Sequence, residues 1–270
     1  MACFICATCG TQFAESGDQP PELCPICEDE RQFVPPSGQA WTILERLRRG
    51  HRNSFERCEP GLYGIGTVPE FGIGQRALLI RTGDGNVLWD CIALVDDATV
   101  DLIGALGGLK AIAISHPHFY TTMVEWSRAF GDVPIHLHED DREWVMRPAP
   151  AVRFWGGERM ALGPGLTLIR CGGHFEGSSV LHWAGGATGA GALLTGDTVS
   201  VAEDARWVSF MRSYPNRLPL SAGTVRRIGE ALEPFAFERI YGGFWGWVVA
   251  NDAKAALRRS VVRYVQAIED

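Results

Sequence analysis

No apolar run in this 270-residue chain approaches the ~18 residues that a membrane span needs. The opening stretch MACFICATCG lacks the charged-then-apolar plan of a secretory signal, so a cytoplasmic protein is the expectation. Positive charge is also in deficit: 25 Lys and Arg stand against 32 Asp and Glu, a net charge of −7. Nucleic-acid binding normally needs clustered Lys and Arg, so neither nucleic acid nor membrane is an expected partner. No internal repeat is present beyond a loose hairpin-and-helix similarity between the halves. What remains, 46% hydrophobic and 21% charged residues, is an ordinary globular balance. The length suffices for one large or two unequal domains with a substantial core.

Eight cysteines are spread unevenly. Cys3, Cys6, Cys9, Cys24 and Cys27 crowd the N-terminus, whereas Cys58, Cys91 and Cys171 are scattered and read as small buried hydrophobes. Cys6-Ala7-Thr8-Cys9-Gly10 and Cys24-Pro25-Ile26-Cys27 are two CxxC turns separated by a polar loop. In a reducing compartment such pairs point to a tetrahedral metal site rather than disulfides. Residues 1–35 are too short to build a core, so metal would supply the folding energy of this module. The segment resembles zinc ribbons and also the iron-holding knuckles of rubredoxin. Zinc is the favoured metal and iron the alternative. Cys3-x-x-Cys6 offers another register, and a redox dithiol is the competing reading.

A Pro-Pro-Ser-Gly break follows. Trp41 to Gly50 then has helical spacing, so residues 36–58 read as a linker helix. Its basic patch (Arg46, Arg48, Arg49, His51, Arg52) reads as a solvated face near a helix C-terminus. Beyond Gly61 come strand-like runs over 62–68, 73–81 and 87–89, with a turn at Gly83-Asp84-Gly85-Asn86. Helical patterns at 98–107, 122–130, 139–146, 222–232 and 251–268 alternate with strands at 110–115, 133–137, 166–170, 179–183, 192–195 and 238–241. That alternation indicates an α/β domain over 59–270.

The apolar strand from Lys110 runs into His116-Pro117-His118. In extended chain, residues two apart face the same side, and Pro117 biases His116 toward extended geometry. Both imidazoles can therefore face one point, although an isolated His-x-His is more often a packing or surface pair. Three more polar residues end apolar strands: Asp90 after Val87-Leu88-Trp89, His174 in Gly173-His174-Phe175-Glu176-Gly177-Ser178, and Asp197 in Leu194-Thr195-Gly196-Asp197-Thr198. Glycines beside the last two leave room for backbone near an ion. A further pair, His136 and His138, has no matched partners and reads as packing.

Taken in order, these four segments resemble the metallo-β-lactamase superfamily along residues 60–245. The resemblance implies an αββα sandwich carrying metal ligands on loops at one edge. It implies that His116, His118 and His174 bind one metal, that Asp197 approaches it as a further ligand, and that Asp90 orients the histidine loop. Where the family has His-x-His-x-Asp-His, this chain has Tyr120 and Thr121 in the last two positions. Its late segment Gly242-Gly243-Phe244-Trp245 lacks the family's final histidine. One metal, not two, is therefore expected in this pocket.

Three histidines and an aspartate can hold zinc and still admit water, whose pKa the ion lowers to about 7. The expected activity is hydrolysis, with metal-bound hydroxide attacking an ester, thioester, lactone or phosphodiester of a small-molecule substrate. Asp197, Tyr120 and Glu176 are the candidates for the catalytic proton work, Tyr120 being a poor base and equally a packing residue. The alternatives are a scaffold protein with a degenerate site or an iron redox protein. A homo-oligomer stays open.

Overall fold

Two buried apolar runs, Ala77–Ile80 and Val87–Trp89, set the centre of the first sheet; every residue in them is buried. The structure is a computed structural model that describes residues 2–269. Its chain divides into two units, Met1–Leu137 with Arg142–Phe154, and His138–Asp141 with Trp155–Asp270.

In the first unit β1 (Ile5–Cys6) pairs with β2 (Trp41–Thr42), and two short helices, α1 (Pro25–Glu28) and α2 (Leu44–Gly50), flank β2 in sequence. A seven-stranded sheet then follows chain order: β3 (Arg52–Glu59), β4 (Leu62–Val68), β5 (Arg76–Ile80), β6 (Asn86–Trp89), β7 (Leu109–Ala113), β8 (Ile135–His138) and β9 (Val152–Trp155). The first four pair antiparallel. The β6–β7 and β7–β8 pairs are parallel because helices cross between them, α3 (Asp97–Ala105) and α4 (Met123–Ala129). Asp96 caps α3 by accepting from the Thr99 amide at 2.8 Å. Leu79, Leu88, Ile112, Phe119 and Trp126 belong to the core, and the Trp126 indole satisfies its one polar atom on the Ile92 carbonyl at 2.8 Å.

The second unit holds a six-stranded sheet in the order β10 (Arg159–Gly163), β11 (Leu166–Arg170), β12 (Ser179–Trp183), β13 (Ala192–Gly196), β18 (Arg239–Gly242), β19 (Val248–Val249). Between β13 and β18 lie two ribbons, β14 (Ser200–Val201) with β15 (Val208–Ser209) and β16 (Met211–Ser213) with β17 (Leu218–Pro219), followed by α5 (Ala222–Leu232). The crossover makes β13 and β18 parallel. Val225, Ile228 and Leu232 of α5 and Ala256 and Leu257 of α6 (Ala253–Glu269) share a core cluster with Val180, Leu193 and Ile240 of the sheet.

Three of the expected helical segments fold differently. The helix expected from Trp41 starts at Leu44 because Trp41 and Thr42 pair with β1. Residues 52–58, expected within the linker helix of 36–58, fall in edge strand β3; an edge strand needs little burial, so it carried no apolar alternation. Residues 139–144 are 3₁₀ turns broken at Asp141, whose carboxylate accepts from the Gly177 amide at 2.8 Å. Cys91 and Cys171 are buried as expected, whereas Cys58 on β3 is half-buried. Among the described residues no helix is long and apolar enough to cross a membrane.

Gly191, just before β13, adopts φ +89, and a Cβ there would lie 2.1 Å from the Ala236 carbonyl oxygen. Gly191→Ala is expected to destabilise the protein by more than about 2 kcal/mol. Urea denaturation checks this, and an unshifted midpoint would contradict it.

Candidate metal centre

The two CxxC turns fold toward each other. Cys6 and Cys27 sulfurs lie 3.6 Å apart and Cys9 and Cys24 sulfurs 3.7 Å apart, with all four thiols buried. A disulfide would hold its sulfurs at about 2.05 Å. Four thiolates at ~2.3 Å from one tetrahedral ion stand ~3.8 Å apart, which is the spacing seen. Gln39 Nε2 donates to Cys6 Sγ at 3.0 Å. Thiol donors from Cys24, Cys27 and Cys9 pull the Cys6 thiol well below its ordinary range, while neighbouring sulfurs and burial hold Cys9 and Cys27 up. The donor set fits a metal. Cys3 stands outside it.

His116 and His118 follow β7, at the start of a 3₁₀ turn over Pro117–Phe119, with ring centroids 5.2 Å apart. His116 sits at φ −169, the extended geometry expected before proline. Two contacts orient it. Ser115 Oγ and His116 Nδ1 are 2.9 Å apart, and Asp90 Oδ1 accepts from the Ser115 amide at 2.7 Å. Asp90 also donates its own amide to the Ala113 carbonyl at 2.9 Å, and its φ of 62 is tolerated because aspartate visits the left-handed region.

His174 is carried by Gly172 and Gly173, at φ 66 and 90, in the loop after β11. Its Nδ1 donates to the Met211 carbonyl at 3.1 Å, which fixes the tautomer and leaves Nε2 as the ligand atom. The loop closes on itself through the Phe175 amide, which donates to Ser178 Oγ at 2.7 Å. Asp197 follows β13 and Gly196. Tyr214, which sequence reasoning did not single out, donates its hydroxyl to the Asp197 carbonyl at 2.9 Å. Burial first, then the Asp197 charge, pushes the Tyr214 hydroxyl well above its ordinary value, so it stays a donor.

One ligand atom from each of His116, His118, His174 and Asp197 lies within 4.8 Å of the others, and all four residues are buried. Imidazole nitrogens with one carboxylate suit a zinc-like divalent ion, and the backbone carbonyl on His174 Nδ1 is a partner that metal-ligating imidazoles commonly take. The set fits a metal.

The other candidates are placed differently. Tyr120 is buried in the core cluster with Phe119 and Met123. Glu176 is exposed, and its carboxylate is not in the ligand group. His138 is buried, with Nε2 3.0 Å from the Gly157 carbonyl, as a packing histidine would be. Phe244 packs on Trp247 with ring centroids 4.7 Å apart. Tyr214, and Gln75, whose side chain donates to the Cys9 and His118 carbonyls, were not singled out, and Ser115 was read only as part of the His-Pro-His segment, because no motif spacing encodes such supporting contacts.

Among solved structures, the DIM-1 metallo-β-lactamase is similar at a TM-score of 0.58, with 15% identity over 80% of this chain and 98% of its own. A motif mutant of the metallo-β-lactamase of Cronobacter sakazakii is similar at 0.51, with 20% identity over 80% of this chain and 95% of its own. The chain has the metallo-β-lactamase fold, the α/β class read from its sequence. The uncharacterized protein YmaE of Bacillus subtilis is 51% identical over 270 residues, 99% of this chain and 97% of that protein, and the chain belongs to its family. No protein-family model matches the chain.

Asp90→Ala removes the acceptor that fixes the residue before His116. Metal affinity at the histidine centre is expected to fall about 10- to 100-fold, measurable by competition with a chelator. Unchanged affinity would mean that Asp90 serves the turn alone.

Proposed function

We propose that the protein is a metal-dependent hydrolase with one catalytic metal in the His–Asp centre and a structural metal, zinc by preference, in the four-cysteine knuckle. The observation that carries this reading is the buried quartet His116, His118, His174 and Asp197, with ligand atoms within 4.8 Å of one another. The resemblance to metallo-β-lactamases supports hydrolysis as the reaction class. A divalent ion bound there supplies Lewis acidity toward a carbonyl or phosphoryl oxygen and makes water a better nucleophile.

The chain's own residues do the remaining work. Ser115, with Asp90 behind it, holds the His116 ring, and the Met211 carbonyl holds that of His174. Tyr214 fixes the backbone of Asp197. Of the three candidates for proton transfer, Asp197 is the one this reading favours, supported by the exposure of Glu176 and the packing of Tyr120 in the core. Tyr120 and Thr121, at the positions of the family's aspartate and last histidine, bring neither a carboxylate nor an imidazole beside His118, which supports a single ion in this centre. The substrate class is a small ester, thioester, lactone or phosphodiester.

The test is a screen of these four substrate classes with the metal-loaded chain and with His174→Ala. Turnover abolished by a chelator, restored by zinc, and lowered at least about 100-fold in His174→Ala is expected. Turnover that survives both treatments would overturn the reading.

A further inference from the structure

The knuckle is joined to the loop that carries His118. Gly10 closes the first CxxC turn at φ +85, and a Cβ at that position would meet Ala93 and Thr121 side-chain carbons at 3.4 Å. Two residues on, the Gln12 amide donates to the Thr121 carbonyl at 3.0 Å. Thr121 adopts φ 36, an uncommon conformation for a β-branched residue, which persists only where the surroundings hold it. The Gln12 side chain accepts from Arg147 and donates to Glu125 of α4 at 3.4 Å, and Arg147 also donates to Glu125 at 2.5 Å.

The most direct link is Gln75, whose residue is 4% exposed. Its Nε2 donates to the Cys9 carbonyl at 3.3 Å and to the His118 carbonyl at 3.4 Å. Its Oε1 accepts from the Ile73 amide at 3.2 Å, which fixes the orientation of the side-chain amide. A knuckle ligand and a histidine of the other centre thus hang by their backbones from one side chain.

We infer that the four-cysteine knuckle is a latch on the His-Pro-His loop, with Gln75 as the positioning residue that transmits it. This rests on the reading of the His–Asp set as a metal centre. A segment this short holds its shape through its metal. When the knuckle is filled, Cys9 is fixed, Gln75 holds the His118 backbone, and Gln12 holds Thr121. When the knuckle loses its metal, these three anchors go together, the loop loosens, and the His–Asp centre binds its ion more weakly. The two centres are then coupled: removing the cysteine-bound metal lowers the affinity of the other.

Cobalt(II) titration of the full-length chain tests the coupling, because thiolate-to-cobalt bands report the knuckle alone. In Gln75→Met the thiolate bands are expected to stay intact, while the dissociation constant of the His–Asp centre rises tenfold or more and its visible cobalt spectrum shifts. Unchanged affinity and spectrum, with the knuckle loaded, would overturn the inference. Hydrogen exchange covers the case in which Gln75→Met fails to fold. In Cys24→Ser, amides 116–122 are expected to exchange at least tenfold faster than in the wild type, with strand 192–196 unchanged. Equal exchange at 116–122 overturns the latch. Exchange needs no ion in the His–Asp centre, so a chain that never binds metal there sinks the hydrolase reading by a separate result.

Discussion

Three imidazoles and a carboxylate are held almost wholly out of water, at 1%, 2% and 1% exposure for His116, His118 and His174 and 5% for Asp197. Burying such groups is unfavourable unless hydrogen bonds and an opposite charge compensate. Much of the local architecture answers to that constraint. The four ligands stand after β7, β11 and β13, and the backbone beside them takes conformations that few residues tolerate. Gly172 and Gly173 sit at φ 66 and 90, Gly196 at 51, and Asp90 at 62. The Ser115 hydroxyl, the Met211 carbonyl and the Tyr214 hydroxyl then hold the rings and the aspartate backbone in place. Preorganisation of this kind suits the binding of an ion, because little remains to be rearranged when it arrives.

The knuckle obeys the same logic with softer ligands. Four sulfurs buried 3.6 to 3.7 Å apart in facing pairs are awkward as neutral thiols and suitable around one ion. The small core around them, with Phe13 and Ile26 inside and Trp41 packed against it, is too slight to fold a module by itself. Its edges run directly into residues 75, 93 and 121, so an ion held by the four thiols would bear on backbone next to a second ligand set.

The His116–His118 pair and the two cysteine turns were legible in the sequence because they depend on short spacings, whereas His174 and Asp197 were joined to them by the family resemblance. His116-Pro117-His118 is a local statement about strand geometry, and Cys6-x-x-Cys9 with Cys24-x-x-Cys27 is one about a turn around an ion. Buried strands such as β5, β6 and β13 were legible as apolar runs. Edge strands β3 and β10 were not, since half-exposed residues carry no strong period. Supporting contacts were the least legible. Tyr214 reaches Asp197 across 17 positions and Gln75 reaches His118 across 43, and no local pattern encodes such distances. The break at Asp141 was hidden for the same reason, because its carboxylate answers to Gly177, 36 positions away.

Two separate ligand sets, four thiols and a His–Asp quartet, are each suited to one ion. Elemental analysis of metal per chain, on the intact protein and on a His174→Ala, Asp197→Ala double variant, tests that most directly. Two equivalents falling to one, with the remaining ion bound by thiolate, is the result this structure predicts. One equivalent in both proteins would contradict it, because the buried His–Asp quartet would then hold no ion.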